Sequence, residues 1–286
     1  MTAAAEIAFI GGGHMARCLI EGLLAQGREP LQIAVADPVP GIRQSLAEDL
    51  GVRVFEHGAE AAAVAPLWVL AVKPQVAHAA CEALAGVAAQ VRPLIVSIMA
   101  GITHAQLRQW LGIDTIVRSM PNQPAAIGAG ITGLHAAASL GVQARAQAEA
   151  VFIGAGATVW LEQESQMDTV TAVAGSGPAY LYLLAEALEQ AACTRDLSPE
   201  IARALVVQTL LGAARMLQVS GEAPAQLRQR VTSPGGTTQA AIEALEVGGW
   251  HALVDQAVDA ARARGRALAA LSLRPAPVLE VNAHRG

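Results

Sequence analysis

Between positions 9 and 16 the chain reads Phe9-Ile10-Gly11-Gly12-Gly13-His14-Met15-Ala16, three successive glycines between an apolar run and a helical pattern. Glycine weakens helix and strand interiors alike. The run is therefore a turn, joining a strand at Glu6 to Ile10 (EIAFI) to a helix at His14 to Gln26. Gly11, Gly13 and Ala16 fall at the three positions of a dinucleotide-binding fingerprint. Gly11 permits the tight turn, Gly13 removes a side chain where a pyrophosphate approaches, and Ala16 lets helix and strand pack closely. The free N–H groups of the first helical turn then face the phosphates. Asp37 closes a second strand at roughly the 20-residue spacing expected of a ribose-binding acid. A carboxylate there suits the free ribose hydroxyls of NAD and repels the extra phosphate of NADP, with Arg43 close enough in sequence to counter it.

The rest of the first half keeps the same alternation. Strand patterns lie at Gln32 to Ala36, Leu67 to Val72, Leu94 to Ile98, Thr115 to Arg118 and Thr158 to Leu161. Helical patterns lie at Gly41 to Leu50, Gln75 to Ala85 and Gln143 to Ile153. Such alternation predicts a mostly parallel sheet covered on both faces. The uncharged stretch from Gln123 to Ala144 reads as buried loop and strand. From about Gln166 the pattern turns helical. Pro178 sits at an expected first helical position, and Ser198-Pro199-Glu200 reads as a helix start: cap, proline, acid. The helix after it, IARALVVQTLLGAARML, is apolar nearly all round and must be buried on every side. A domain of this size offers little room for that, which predicts a second subunit. Further helices are expected at Ala223 to Arg230, Gly236 to Glu246 and Trp250 to Leu271. The expected domains are 1–163 for the dinucleotide, 164–273 for a helical dimerisation and substrate domain, and a loosely ordered tail at 274–286.

Charge narrows the partners. Lys+Arg is 19 and Asp+Glu 24, a net charge of -5 without a basic stripe, and aromatic residues are only 3%. Neither a phosphate-tracking surface nor a base-stacking one is available, so nucleic acid is not an expected partner. A membrane is not expected either, because the long uncharged stretch is interrupted by glycine and proline. Cys18, Cys81 and Cys193 are too far apart for a disulfide framework or a thiolate metal site, which suits a reducing cytoplasm. The N-terminus lacks the basic and apolar regions of a signal peptide.

Other candidate residues lie at strand ends, where open α/β sheets bind ligands. Lys73, the one lysine in the chain, follows a strand in Ala71-Val72-Lys73-Pro74, placed to meet a cofactor or an acidic substrate; the alternative is a surface lysine at a loop. Ala100 lies in Ser97-Ile98-Met99-Ala100-Gly101, before a capping pair of Thr103 and Gln106. Asn122, after Met120-Pro121, either binds a nicotinamide amide or fixes a loop. In the second half, Ala174-Gly175-Ser176-Gly177-Pro178-Ala179-Tyr180 and Thr232-Ser233-Pro234-Gly235-Gly236-Thr237-Thr238 are small-residue loops entering helices. Each suits a carboxylate cradled by backbone N–H groups, or a tight helix crossing.

The segments FIGGGHMA, VLAVKPQ, SIMAGI, VRSMPNQPA, AVAGSGPAY and VTSPGGTTQAAI, in order from Phe9 to Ile242, resemble the pyrroline-5-carboxylate reductase family, the last step of proline biosynthesis. The resemblance implies an α/β fold: an N-terminal Rossmann-type dinucleotide-binding domain followed by an all-helical dimerisation domain intertwined with a partner's. The active site would then form across a homodimer, with further assembly open. It implies cofactor contacts at Gly11, Gly12, Gly13, His14 and Met15, at Ala71, Val72, Lys73 and Pro74, and at Ala100. It implies that Ser233, Gly235, Gly236 and Thr237 receive the carboxylate of a small cyclic imine. Thr238 would hydrogen-bond the ring nitrogen, with Glu222 orienting it. No metal is implied.

The chain has His14 where the family usually has Asn, Ala174 for Ser and Gln123 for Thr, and Ala192 to Asp196 lacks the usual glycines. The family commonly favours NADPH, so NADP is the expected cofactor, with NAD possible, against the residue-level reading of Asp37. One alternative is a 3-hydroxyacid dehydrogenase, which typically uses a lysine on an interdomain helix; this chain has none after Lys73. Another is a catalytically silent dinucleotide sensor or scaffold.

Overall fold

A computed structural model describes residues 5–271, so the expected tail at 274–286 lies outside the described residues. The described residues form two compact units, one running to Gly175 and rejoined from Ala261 onward, the other Ser176–Ala260.

The first unit is built on an eight-stranded sheet, β1 (Ile7–Ile10), β2 (Ile33–Ala36), β3 (Arg53–Phe55), β4 (Leu67–Leu70), β5 (Leu94–Ser97), β6 (Ile116–Met120), β7 (Gly130–Ala136) and β8 (Gly156–Trp160), in the order β3-β2-β1-β4-β5-β6-β7-β8. Every pairing is parallel except β6 with β7. The central strands are buried on both faces because their alternate side chains enter two separate apolar clusters: Ile7 and Phe9 join one, Ala8 and Ile10 the other. The first cluster packs α1 (His14–Ala25), α2 (Pro40–Leu50) and α6 (Val142–Ala150) on the sheet; the second packs α3 (Gly58–Ala62), α4 (Ala77–Val91) and α5 (His104–Leu111). Fully buried Trp68 in the second cluster keeps its indole N–H satisfied by the carbonyls of Ala62 and Ala65, at 3.0 and 2.9 Å.

Three close approaches fix these layers. Gly22 of α1 lies against the 3-10 turn Ile153–Ala155: a Cβ on Gly154 would fall 2.2 Å from the Gly22 carbonyl oxygen. In the β7–β8 pair, a Cβ on Gly156 would fall 2.0 Å from the carbonyl oxygen of Gly130. On β7, Gly133 leaves room for Val170 of α7 (Met167–Val170). That packing of α7 explains why the sheet-bearing unit runs to Gly175, past the point near Gln166 where helical periodicity begins.

Several expectations need correction. β3 and α3 were not anticipated; β3 is three residues, half-buried, and too short to show a period. α4 continues to Val91, well past Ala85, and ends where Arg92 turns left-handed at φ 50°. The stretch from Gln123 to Ala144 is buried only in part, since Ile127 and Val142 stand 82% and 84% exposed. The segment from Ala174 is no loop: a π-helical turn, Thr171–Gly175, leads through Ser176 into α8 (Gly177–Cys193), with Pro178 second in that helix.

The second unit holds α8, α9 (Pro199–Ser220), α10 (Pro224–Arg230), α11 (Thr237–Val247) and the first half of α12 (Trp250–Leu271). Ser198 caps α9 as expected, its hydroxyl accepting from the Ile201 N–H. Within one chain α9 is far from buried on every side: Leu205, Val207 and Leu211 are 55%, 52% and 44% exposed, and only Ala202 and Val206 among the unit's described apolar residues are buried. No described helix is long and apolar enough to cross a membrane.

Candidate active site

At the switch point of the sheet, β1 and β4 lie side by side and their carboxyl ends open together. Gly11 leaves β1 with φ +102°, a conformation that L side chains rarely adopt, and a Cβ there would meet the Ala71 carbonyl oxygen at 2.7 Å. The β1 turn and the Ala71–Pro74 segment are thus in backbone contact. A Cβ on Gly12 would meet Leu46 Cδ1 at 2.8 Å and Ile42 Cγ2 at 3.0 Å. Gly13 differs. It precedes α1 in ordinary extended geometry (φ -67°, ψ -177°), and a Cβ on it would meet nothing within 4 Å. The fold does not need glycine at position 13, and the open space there leaves room for a phosphate. A cavity of about 270 Å³ opens beside it, between the start of α1 (Gly13, His14, Arg17) and the start of α2 (Gly41, Ile42, Ser45). The residues present therefore fit a dinucleotide.

Exposed His14 is the first residue of α1, its Nε2 3.7 Å from Cys18 Sγ, and Met15 is half-buried. Lys73 is exposed beyond β4, and Ala100 is half-buried in the turn after β5. Asp37 directly follows β2 and is only 8% exposed; its carboxylate accepts the Gly12 N–H and the Val39 N–H, each at 2.9 Å. Asn122 is corrected to the second of its two readings. Its amide donates to the Ala174 carbonyl at 3.1 Å and accepts from the Ile131 N–H at 3.0 Å, so this buried side chain fixes a loop.

The turn before α11 is shaped by Pro234 and Gly235, the latter at φ +70°, with the Gly236 N–H closing on the Ser233 carbonyl at 3.0 Å. The Gly235 N–H is taken by the Gln239 side chain at 2.8 Å. Two of the donors expected to hold a carboxylate are thus already engaged. Thr237 and Thr238 open α11, where helix geometry leaves N–H groups without a carbonyl one turn back. The Thr238 hydroxyl has no hydrogen-bond partner among the described residues. Glu222 does not orient it: its carboxylate pairs with Arg230 at 2.8 Å.

Sequence reading missed one polar cluster. Arg118, buried in β6, reaches Glu164 at 2.6 Å, and the same Glu164 oxygen accepts the His104 N–H at the start of α5 at 2.8 Å. His104 Nε2 and His135 Nδ1 on β7 share a 3.0 Å hydrogen bond. Burial pushes both imidazoles below the ordinary histidine value, an effect Glu164 only partly offsets. Burial alone would raise the Glu164 carboxyl, but the His104 N–H and Arg118 outweigh it and hold it low. The cluster braces α5 immediately beyond the Ala100 turn and borders a cavity of about 330 Å³ that Gly101 and Thr103 also line. The available signal was Arg118 itself, since a charge inside an apolar strand requires a buried partner.

A glycine turn with open space beside it at the switch point of a mostly parallel sheet, followed by a helical region, defines the class of Rossmann-type dinucleotide-binding proteins. Residues 164–268 match the family model for pyrroline-5-carboxylate reductase dimerisation, and residues 6–101 match one described as NADP oxidoreductase, coenzyme F420-dependent. The pyrroline-5-carboxylate reductase of Pseudomonas aeruginosa is 48% identical over 265 residues, covering 92% of this chain and 97% of that protein. The solved pyrroline-5-carboxylate reductase of Coxiella burnetii superposes with TM-score 0.87 at 39% identity, over 93% of this chain and 99% of that one. The Plasmodium falciparum pyrroline carboxylate reductase, solved with NADP bound, gives TM-score 0.82 at 26% identity, over 94% and 99%. The chain belongs to the pyrroline-5-carboxylate reductase family.

Proposed function

We infer that this protein reduces 1-pyrroline-5-carboxylate to L-proline with hydride from a nicotinamide dinucleotide. The observation that carries the reading is the unobstructed space at Gly13 beside a turn that Gly11 alone can make. Gly11, Gly12, Gly13, His14 and Met15 would hold the phosphates, and Ala71 to Pro74 with Ala100 would line the remainder. When bound, the cofactor supplies the hydride.

The protein's own task is positional. A protonated C=N carbon accepts hydride readily, so the enzyme needs no nucleophile; it must hold that carbon at roughly 3 to 3.5 Å from the donor. Ser233 and the N–H groups of Thr237 and Thr238 would receive the substrate carboxylate. The Thr238 hydroxyl would orient the ring nitrogen and stabilise the amine as it forms. A threonine hydroxyl is a weak acid, so the proton comes with the iminium or from water.

The NADP-bound Plasmodium relative supports NADPH as the preferred donor. The exposed apolar side chains of α9 and the match to the dimerisation family support a homodimer. Three free cysteines accord with a cytoplasmic setting. Oxidation of NADPH and NADH with pyrroline-5-carboxylate, beside the same assay with 3-hydroxyacids, tests the reading. Turnover with the imine alone is expected; tight cofactor binding without turnover would favour a silent sensor.

A further inference from the structure

Fingerprint spacing makes Asp37 a ribose ligand, yet its carboxylate faces inward. We propose that Asp37 is a positioning residue that holds the glycine turn in its cofactor-binding shape through the Gly12 N–H, and that it does not discriminate between NADH and NADPH. The inference rests on the reading that the cofactor's phosphates lie at the start of α1.

Three observations carry it. Asp37 is 8% exposed, and both carboxylate oxygens are engaged by main-chain donors, the Gly12 N–H on one and the Val39 N–H on the other, each at 2.9 Å. A buried carboxylate is retained where hydrogen bonds replace its lost hydration, and these two do so. Second, the Gly12 backbone is boxed in from the Asp37 side: a Cβ on Gly12 would lie 3.4 Å from Asp37 Cβ and closer still to Ile42 and Leu46 of α2. The turn thus takes its shape from the junction of β2 and α2, and the Asp37 carboxylate is the polar tie between them. Third, Arg43 braces the main chain of the same junction. Arg43 Nη1 donates to the Asp37 carbonyl at 2.8 Å, while Arg43 Nη2 lies 3.5 Å from Glu56. A buried carboxylate whose two oxygens each accept a main-chain N–H projects less field toward a ribose 2′-phosphate than a free one, so the repulsion that would select NADH is weak. This reconciles an acid at position 37 with the NADP bound by the Plasmodium relative.

The test is a titration of NADH and NADPH against wild type, Asp37→Ala and Asp37→Asn, followed by calorimetry and by hydrogen exchange at the Gly12 amide. In Asp37→Ala the turn loses one charge-assisted hydrogen bond, so both dissociation constants should rise about tenfold and their ratio should stay within about twofold of wild type. Gly12 amide exchange should accelerate. Asp37→Asn retains an oxygen that can accept the Gly12 N–H; it should recover most of the binding and fold even if the alanine variant does not. A ratio shifted tenfold or more toward NADPH in either variant would mean that the carboxylate reads the ribose, and would overturn the proposal. So would an Asp37→Ala protein that unfolds at lower temperature yet binds both cofactors as wild type does. Failure of the wild type to bind either cofactor would instead refute the site on which the proposal stands.

Discussion

Replacing Gly13 with alanine separates what the fold requires from what the ligand requires. In the free protein a Cβ at position 13 meets nothing within 4 Å, and φ -67°, ψ -177° is open to any L residue. Alanine restricts the unfolded chain, which stabilises by about 0.4 to 1 kcal/mol. It is also a poorer helix N-cap than glycine, which costs a similar amount. The two offset each other, so the melting temperature should move by no more than about 2 °C. With the cofactor bound, the added methyl occupies the approach of a phosphate. Loss of one charge-assisted hydrogen bond, about 1.5 to 3 kcal/mol, corresponds to a rise in NADPH dissociation constant of about 10- to 150-fold. Gly11→Ala is the control of opposite sign. Its Cβ would press on the Ala71 carbonyl at φ +102°, so stability itself should fall. Fluorescence titration with NADPH and thermal unfolding of both variants make the comparison. A Gly13→Ala protein that binds NADPH as wild type does would show that the phosphates lie elsewhere, and the placement of the cofactor would fail.

Thr238→Ala removes a hydroxyl with no described internal partner, so stability and cofactor binding should hold while kcat falls about 10- to 100-fold; equal losses of cofactor affinity and kcat would contradict the assignment. The melting temperature should fall as pH drops below about 6.5, because the folded state depresses both His104 and His135 and their protonation therefore favours unfolding. His135→Gln should flatten that profile, and a melting temperature unchanged between pH 7 and pH 5 would count against it. Leu205→Glu puts a charge on the exposed apolar face of α9 and should shift sedimentation from dimer to monomer; a variant that still sediments as a dimer would remove α9 from the interface.

What could be read from the sequence was local. The glycine turn, the Ser198 cap and the Thr103–Gln106 capping box each follow from residues within a few positions of one another, and all three are present. What could not be read depends on partners distant in sequence. The Glu164 cluster joins residues from α5, β6 and β7, and no spacing rule connects them. Asn122 left two readings open until its partners, Ile131 and Ala174, were located. Spacing reads Asp37 as a ribose-binding acid, whereas its carboxylate accepts the Gly12 and Val39 N–H groups, an arrangement set by the packing of the β2–α2 junction. The apolar girdle of α9 was legible as a need for burial, and one chain meets that need only at Ala202 and Val206.

The meeting of Gly22 with Gly154 has an evolutionary consequence. Most tight contacts in a core can be renegotiated, with a larger residue on one side accepted by a smaller one opposite. Here main chain touches main chain, and both participants are already the smallest residue there is. No second-site change can reopen the space, so the two positions cannot drift as a compensating pair. A lineage that acquired a side chain at either one would have to shift the axis of α1 and carry the glycine-turn end of that helix with it.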